Sequence, residues 1–337
     1  MFVLAALPVL YAILGPGGPV QAPEGGLRPS ENAPETPPRW TAKPRPLTVP
    51  KEDDPFYESF SRMTEELERR SLRHPGQVGI YVKDLGRGWE WSFHSDDLFP
   101  SASLIKVPVM IGVFEKIHRG QLALSSELTL RRRTRMGGSG SLKWAREGSH
   151  YTVRQLLDKL IAESDNTAMR VLLDEIGMGF LQGIFPQIGF IHTDIYSEGL
   201  TLKSGRVRQE NYTTAREMGM MLESIYRGEV VNKFASELML EILKGPRRVR
   251  SRLAKSLPIG WELAHKTGLL RRACHDAGIV FTPYGDYVLV VLTGRNTSYY
   301  SAKEFIAEAG RVTYRHYRSQ DALFAKASST VAVEVAR

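Results

Sequence analysis

The sequence predicts an α+β domain: one antiparallel sheet built from both ends of the domain, flanked by helices, with an all-helical subdomain inserted between the two halves. Three observations predict it. Strand-like segments pair up around short turns near each end of the domain, the long stretch between them reads as helix, and amphipathic helices open and close it.

In chain order, "DPFYESFSRMTEELERRSLRH" (54–74) carries apolar residues at helical spacing. "GQVGIYVKD" (76–84) and "GWEWSFH" (88–94) are strand-like and overlap the turn "LGRG", as a hairpin would. A helical block runs from Leu104 to about Gly245. "GIVFTP" (278–283) and "YVLVVLTG" (287–294) form a second hairpin around "YGD", and "SAKEFIAEAGRVTYRHYR" (301–318) closes as an amphipathic helix. The globular domain is therefore placed at 51–320, with any site in the cleft between sheet and helical insert.

Outside it lie three segments. "MFVLAALPVLYAIL" with small residues at Val20 and Ala22 reads as a secretory signal at 1–22, although no basic residue precedes its apolar run, and an uncleaved N-terminal anchor is the alternative. That run falls short of the ~20 residues a bilayer span needs, so no stable membrane span is expected. Residues 23–50 are proline-rich and poor in aliphatic side chains, an extended linker, and 321–337 form a tail. The signal implies a secreted or periplasmic protein, which removes nucleic acid as a partner.

Composition narrows the chemistry. The 337 residues carry a net charge of +8, which would suit an anionic polymer but does not choose one. The densest basic runs, "RRRTR" (131–135) and "PRRVRSR" (246–252), read as solvated surface. The single cysteine, Cys274, excludes an intrachain disulfide and a multi-cysteine zinc site. In a strand, Cys274 and His275 point to opposite faces and form no dyad. The eight histidines show no metal-ligand spacing, so neither metal nor cofactor is called for.

The chemistry rests on "PSASLIKVPVM" (100–110), where Ser103 precedes Lys106 by three residues at the head of an apolar helix. Residues i and i+3 share a helix face, so the two side chains can meet, and Pro108 is tolerable because it falls in the first turns. The pair is either a capping serine with a snorkelling lysine or a nucleophile with its base; roughly one S-x-x-K is expected by chance in such a chain. "SDN" (Ser164 to Asn166) and "KTG" (Lys266 to Gly268) follow in that order, each expected less than about once in ten chains. "GGSGS" (137–141) misses the G-x-S-x-G elbow by its last residue and reads as a glycine-rich cleft wall.

The set S-x-x-K, S-D-N and K-T-G, with "YTVRQLL" before the second and "NYTTAREM" after it, resembles the penicillin-recognising serine hydrolases, and among them the class A β-lactamases. The resemblance covers about Asp54 to Tyr317. It implies that Ser103 is the nucleophile, Lys106 its base, and Ser164 the relay that protonates the leaving nitrogen. Asn166 would hold Lys106 and the substrate amide. Lys266 and Thr267, on an edge strand, would bind the substrate carboxylate, Gly268 would let the substrate approach, and the N–H of Leu269 would be the second oxyanion donor. Arg271 and Arg272 either add carboxylate affinity or are solvated surface.

The pattern frays at the glutamate that activates the deacylating water. The family places it about fourteen residues before the first threonine of the T-T pair, with an asparagine four residues on. Here Glu198 lies one residue further away and Leu202 occupies the asparagine position, while Glu210 stands too close to the following helix. With Glu198 competent, the expected function is β-lactam hydrolysis by a monomer acting on a small molecule. Otherwise the chain is a penicillin-binding D,D-peptidase acting on peptidoglycan stems, or a non-catalytic envelope-binding relative.

Overall fold

The computed structural model describes residues 55–200, 209–245, 251–258 and 260–335. The signal, the linker, Leu202 and most of "PRRVRSR" lie outside the described residues.

A five-stranded antiparallel sheet organises the molecule. Its strands are β1 (Gln77–Asp84), β2 (Glu90–Phe93), β7 (Glu262–Leu270), β8 (Ala273–Phe281) and β9 (Tyr287–Gly294), in the order β2-β1-β9-β8-β7. Both hairpins form as the turn signals predict, and β9 docks along β1 from Gln77↔Gly294 to Asp84↔Tyr287. Strands from opposite ends of the domain are therefore neighbours, and β7 is left on an edge.

Strand alternation divides the core in two. On β9, Tyr287, Leu289 and Val291 join Phe60, Met63 and Leu67 of α1 (Pro55–Arg73) and Ile306 of α9 (Tyr299–Val335). Val288, Val290 and Leu292 face the other way, toward Met218 and Leu222 of α6 (Ala215–Tyr226) and the helical insert. Because both faces are covered, all eight residues of β9 are buried.

The insert contains α2 (Lys106–His118), α3 (Val153–Ala162), α4 (Asn166–Ile176), α5 (Met178–Ile184) and α7 (Lys233–Lys244), with the short α8 (Leu253–Ser256) leading into β7. Its capping is readable in sequence: Thr152 and Gln155 form a capping box on α3, and Asn232 accepts the Ala235 N–H at the start of α7. Three short strands interrupt the predicted helical block: β4 (Glu127–Thr129) pairs with β5 (His150–Thr152), and β6 (Tyr212–Thr213) pairs with β3 (Phe99–Pro100), just ahead of the block. Strands of two or three residues leave no periodicity to read. The closing helix also continues to Val335, through most of the segment expected to be a tail, whose alanines and lysine are good helix formers.

Candidate active site

The turn that carries Ser103 is not the start of an α-helix. Ala102–Ile105 form a 3-10 turn, and α2 begins at Lys106, which puts Pro108 at the third helical position, where no intrahelical N–H bond is lost. Ala102 holds a left-handed φ of 49°, and across the cleft Ser164 holds one of 52°. Two such non-glycine residues beside one cluster of polar groups are the kind of local strain that persists where surrounding contacts impose it.

Lys106 is almost fully buried and sits among four oxygens. Its Nζ lies 2.7 Å from the Ser164 carbonyl and 2.7 Å from Asn166 Oδ1, and 3.1 Å from both Ser103 Oγ and Ser164 Oγ. The two short contacts are to groups that can only accept. A neutral amine has two N–H bonds for them and one lone pair left for a hydroxyl proton, which is the state a base for Ser103 requires. Burial lowers the Lys106 pKa well below that of an ordinary lysine, and the charge of Lys266 pushes it further down.

Lys266 is buried on β7, with Nζ donating to Ser164 Oγ at 3.1 Å and to the Thr267 carbonyl at 2.9 Å. Burial brings its pKa down to about 7, Arg252 adds to the fall, and Asp276 opposes it. Ser164 thus bridges two amines.

Asp165, unassigned from the sequence, fixes this bridge. One carboxylate oxygen caps α4 at the Ala168 N–H (2.9 Å), and the other accepts the Leu142 N–H (2.8 Å). The loop through "GGSGS" follows: Asn166 Nδ2 donates to the Gly137 carbonyl, and Asn166 N to Ser139 O. At Gly140, with φ of 100°, a Cβ would stand 2.1 Å from Asp165 Cγ. Gly140→Ala is therefore expected to cost about 1–3 kcal/mol and to displace Ser164, with thermal melting and turnover both falling; unchanged melting would show that the loop gives way freely.

His275 faces the site from β8, opposite Gly268. Its Nε2–H donates to the Pro100 carbonyl (2.8 Å), and Nδ1 accepts the Thr293 N–H (3.2 Å). Burial depresses its pKa to about 4, so the ring is neutral at pH 7. A Cβ on Gly268 would lie 3.1 Å from both Ala102 Cβ and His275 Cδ2, so this glycine lets β7 close against the Ala102–Ile105 turn. Cys274 points to the opposite face, as strand alternation predicts, and belongs to the α1/α9 core. The β7–β8 register, which sets His275 opposite Gly268, is the signal that places this ring at the site.

"PRRVRSR" needs correction at its last residue. Arg252 is buried, with φ of 54°, and its Nε contacts Cys274 Sγ at 3.3 Å. The chain turns inward there because the Leu253 N–H bonds to the buried Asp276 carboxylate, which also holds His265 Nδ1 at 2.8 Å. Leu269, by contrast, is exposed just past Thr267 and Gly268, and Arg271 and Arg272 are exposed at the turn.

The loop before α6 is stapled to the turn that carries Ser103 by Asn211, whose carbonyl accepts the Ser101 N–H and whose Oδ1 accepts the Tyr196 N–H, both at 2.6 Å. Glu198 is exposed at the head of a 3-10 turn, Glu198–Leu200. Its neighbour Gly199 packs so tightly on Asn211 that a Cβ would lie 2.7 Å from the asparagine N. Glu210 flanks the same anchor, accepting the Asn211 N–H at 2.9 Å, and burial raises its pKa.

A family model described as the Beta-lactamase enzyme family matches residues 62–317, three quarters of the chain. The chain belongs to that family. Among its curated relatives, β-lactamase VEB-1 of Pseudomonas aeruginosa is 22% identical over 256 residues, covering 72% of this chain and 85% of that one. Among solved structures, a mutant of PBP-A captured as its acyl-enzyme complex with penicillin G is 26% identical, with a TM-score of 0.70 over 77% of this chain and 97% of that one. A β-lactamase from Sphaerobacter thermophilus superposes with a TM-score of 0.70 at 24% identity, over 77% of this chain and 97% of that one. This β-lactamase family member has the α+β fold expected from its hairpins.

The buried lysine pair sets a pH dependence of stability. The unfolded chain holds the Lys266 proton up to the ordinary 10.5, the folded chain only to about 7. Unfolding therefore takes up a proton between those values, and stability rises with pH across that window. Below pH 7 the cost of burying the cation is fully present, about 1.4 kcal/mol for each unit of displacement. Lys266→Met should accordingly melt higher than the parent at pH 6, and the difference should shrink at pH 9.5. An equal difference at both values would contradict burial as the cause.

Proposed function

We propose that this β-lactamase-type serine hydrolase opens β-lactam rings through an acyl-enzyme on Ser103. The observation that carries the reading is Lys106 Nζ at 3.1 Å from Ser103 Oγ, with its two shortest contacts made to pure acceptors. Neutral Lys106 takes the hydroxyl proton as Ser103 Oγ bonds to the ring carbonyl carbon. The N–H groups of Ser103 and Leu269 receive the oxyanion. As the C–N bond breaks, the Ser164 hydroxyl gives its proton to the departing nitrogen and is reprotonated from the amines on either side. Asn166 orients the substrate amide, while Lys266 and Thr267 hold its carboxylate beside Gly268. Glu198 then activates the water that cleaves the ester.

A second reading has one observation in its favour. Glu198 is exposed, and Leu202 stands where the resemblance calls for asparagine. A weak deacylating base would leave a penicillin-binding D,D-peptidase. Steady-state turnover of a chromogenic cephalosporin beside a D-Ala-D-Ala peptide separates the two: sustained cephalosporin hydrolysis supports the first, a single burst with peptide cleavage the second. We also propose export, with the mature chain beginning at Pro23, which N-terminal sequencing of envelope-derived protein checks. No helix among the described residues is long and apolar enough to cross a membrane.

A further inference from the structure

The peptide group between Pro100 and Ser101 is gripped at both poles. Its carbonyl oxygen accepts the Nε2–H of His275 (2.8 Å), and its N–H donates to the Asn211 carbonyl (2.6 Å). A planar peptide held at both O and N cannot swing about its Cα–Cα axis, so the direction in which the chain enters the Ala102–Ile105 turn is set from outside. The side chains entering the turn do not set it. Ser101 is fully buried, and its hydroxyl has no hydrogen-bond partner among the described residues. Ala102 holds its φ of 49° against the ordinary preference of alanine.

His275 is itself held in one orientation. The Thr293 N–H of β9 points at Nδ1 (3.2 Å), which must accept, and this leaves the proton on Nε2, the atom that faces Pro100. Phe99 closes on the ring edge-on, 6.1 Å between centroids, and no part of His275 is exposed. The same ring also meets the opposite wall. His275 pairs with Gly268 across the β7–β8 ladder, and a Cβ on Gly268 would come within 3.1 Å of both His275 Cδ2 and Ala102 Cβ. One imidazole thus lies against β7 just before Leu269 and is bonded to the chain three residues before Ser103.

We infer that His275 is a positioning residue that fixes the gap between the N–H groups of Ser103 and Leu269, the two donors to the oxyanion. The inference rests on the acyl-transfer reading given above. Such a donor is effective only about 3 Å from where the charge develops, and a displacement of about 1 Å costs roughly a hundredfold in rate. Without the His275 donor, the Pro100 carbonyl swings, the turn relaxes toward the right-handed conformation that alanine prefers, and the Ser103 N–H leaves its place. Because the effect passes through backbone, it falls on the chemical steps rather than on the first encounter with substrate. Both the acylating and the deacylating step slow, since each builds an oxyanion at the same two donors.

The experiment compares His275→Asn and His275→Gln with the parent, by pre-steady-state acylation with penicillin G, by the infrared carbonyl band of the acyl-enzyme, and by thermal melting. An asparagine amide reaches only the place of Nδ1, so it serves Thr293 and leaves the Pro100 carbonyl unpaired. A glutamine amide reaches the place of Nε2 and restores that donor. His275→Asn should acylate about 10²-fold more slowly, with the non-covalent dissociation constant within about threefold of the parent's. Its ester carbonyl band should move to higher frequency, because weaker hydrogen bonds polarise the carbonyl less. His275→Gln should regain at least about tenfold of the lost rate and bring the band back toward the parent's position. Equal losses in the two variants, losses that simply follow the fall in melting temperature, or an unmoved carbonyl band would overturn the inference. Absence of any adduct in the parent would instead sink the acyl-transfer reading, and the inference with it.

Discussion

Ser103→Ala should lose β-lactam hydrolysis by about 10⁴- to 10⁶-fold and form no covalent adduct with a penicillin. The reason is geometric. Among the described residues Ser103 stands on the turn into α2 with the buried Lys106 Nζ at 3.1 Å; Ser164 also lies 3.1 Å from Lys106, but its hydroxyl is shared with Lys266. The fold should be untouched, because Ser103 Oγ contributes one long contact to a lysine that keeps its two 2.7 Å bonds. Melting within about 0.5 kcal/mol of the parent would show that the lost rate is chemical. Residual turnover at more than a hundredth of the parent rate would move the nucleophile elsewhere.

Glu198→Gln should leave Ser103 acylation largely intact, since Lys106 still takes the hydroxyl proton, and slow hydrolysis of the ester by about 10²- to 10⁴-fold. Acyl-enzyme then accumulates, and the product trace shows a burst of about one equivalent followed by a nearly flat line. Glu210→Gln is the control. That carboxyl is engaged with the Asn211 N–H, which it still accepts as an amide, so turnover should stay near the parent value. If Glu198→Gln turns over normally and Glu210→Gln stalls, the base is the half-buried carboxylate whose pKa burial has raised, and the loop alignment drawn from sequence is wrong.

Much of the fold was legible because the signals were local. The hairpin turns, the alternation along β9 and the capping box at Thr152 each name an element within a few residues. Ser103, Lys106, Ser164, Asn166 and Lys266 were legible as types at meaningful spacings, and the fold brings these five side chains together. The supporting residues were not. Asp165 looked like the middle of a tripeptide, and only the fold reveals that its second oxygen holds the loop at Leu142. His275 and Arg252 act through register and burial: one is aimed at Pro100 by β8, the other is drawn inward as the chain turns onto Asp276. A basic run in sequence carries no mark that its last arginine will be buried. The 3-10 turn at Ala102–Ile105 was hidden for a similar reason, since nothing in an alanine side chain marks a left-handed residue packed against Gly268.

The most direct measurement is time-resolved intact-mass spectrometry of the parent chain mixed with an excess of one penicillin, with tryptic mapping of any adduct. An added mass equal to the whole penicillin should appear at early times on the peptide Gly88–Lys106, which contains Ser103, and should vanish as the ring-opened acid accumulates. Penicillin consumed with the adduct on any other peptide, or no adduct and no consumption at all, would contradict acyl transfer through Ser103.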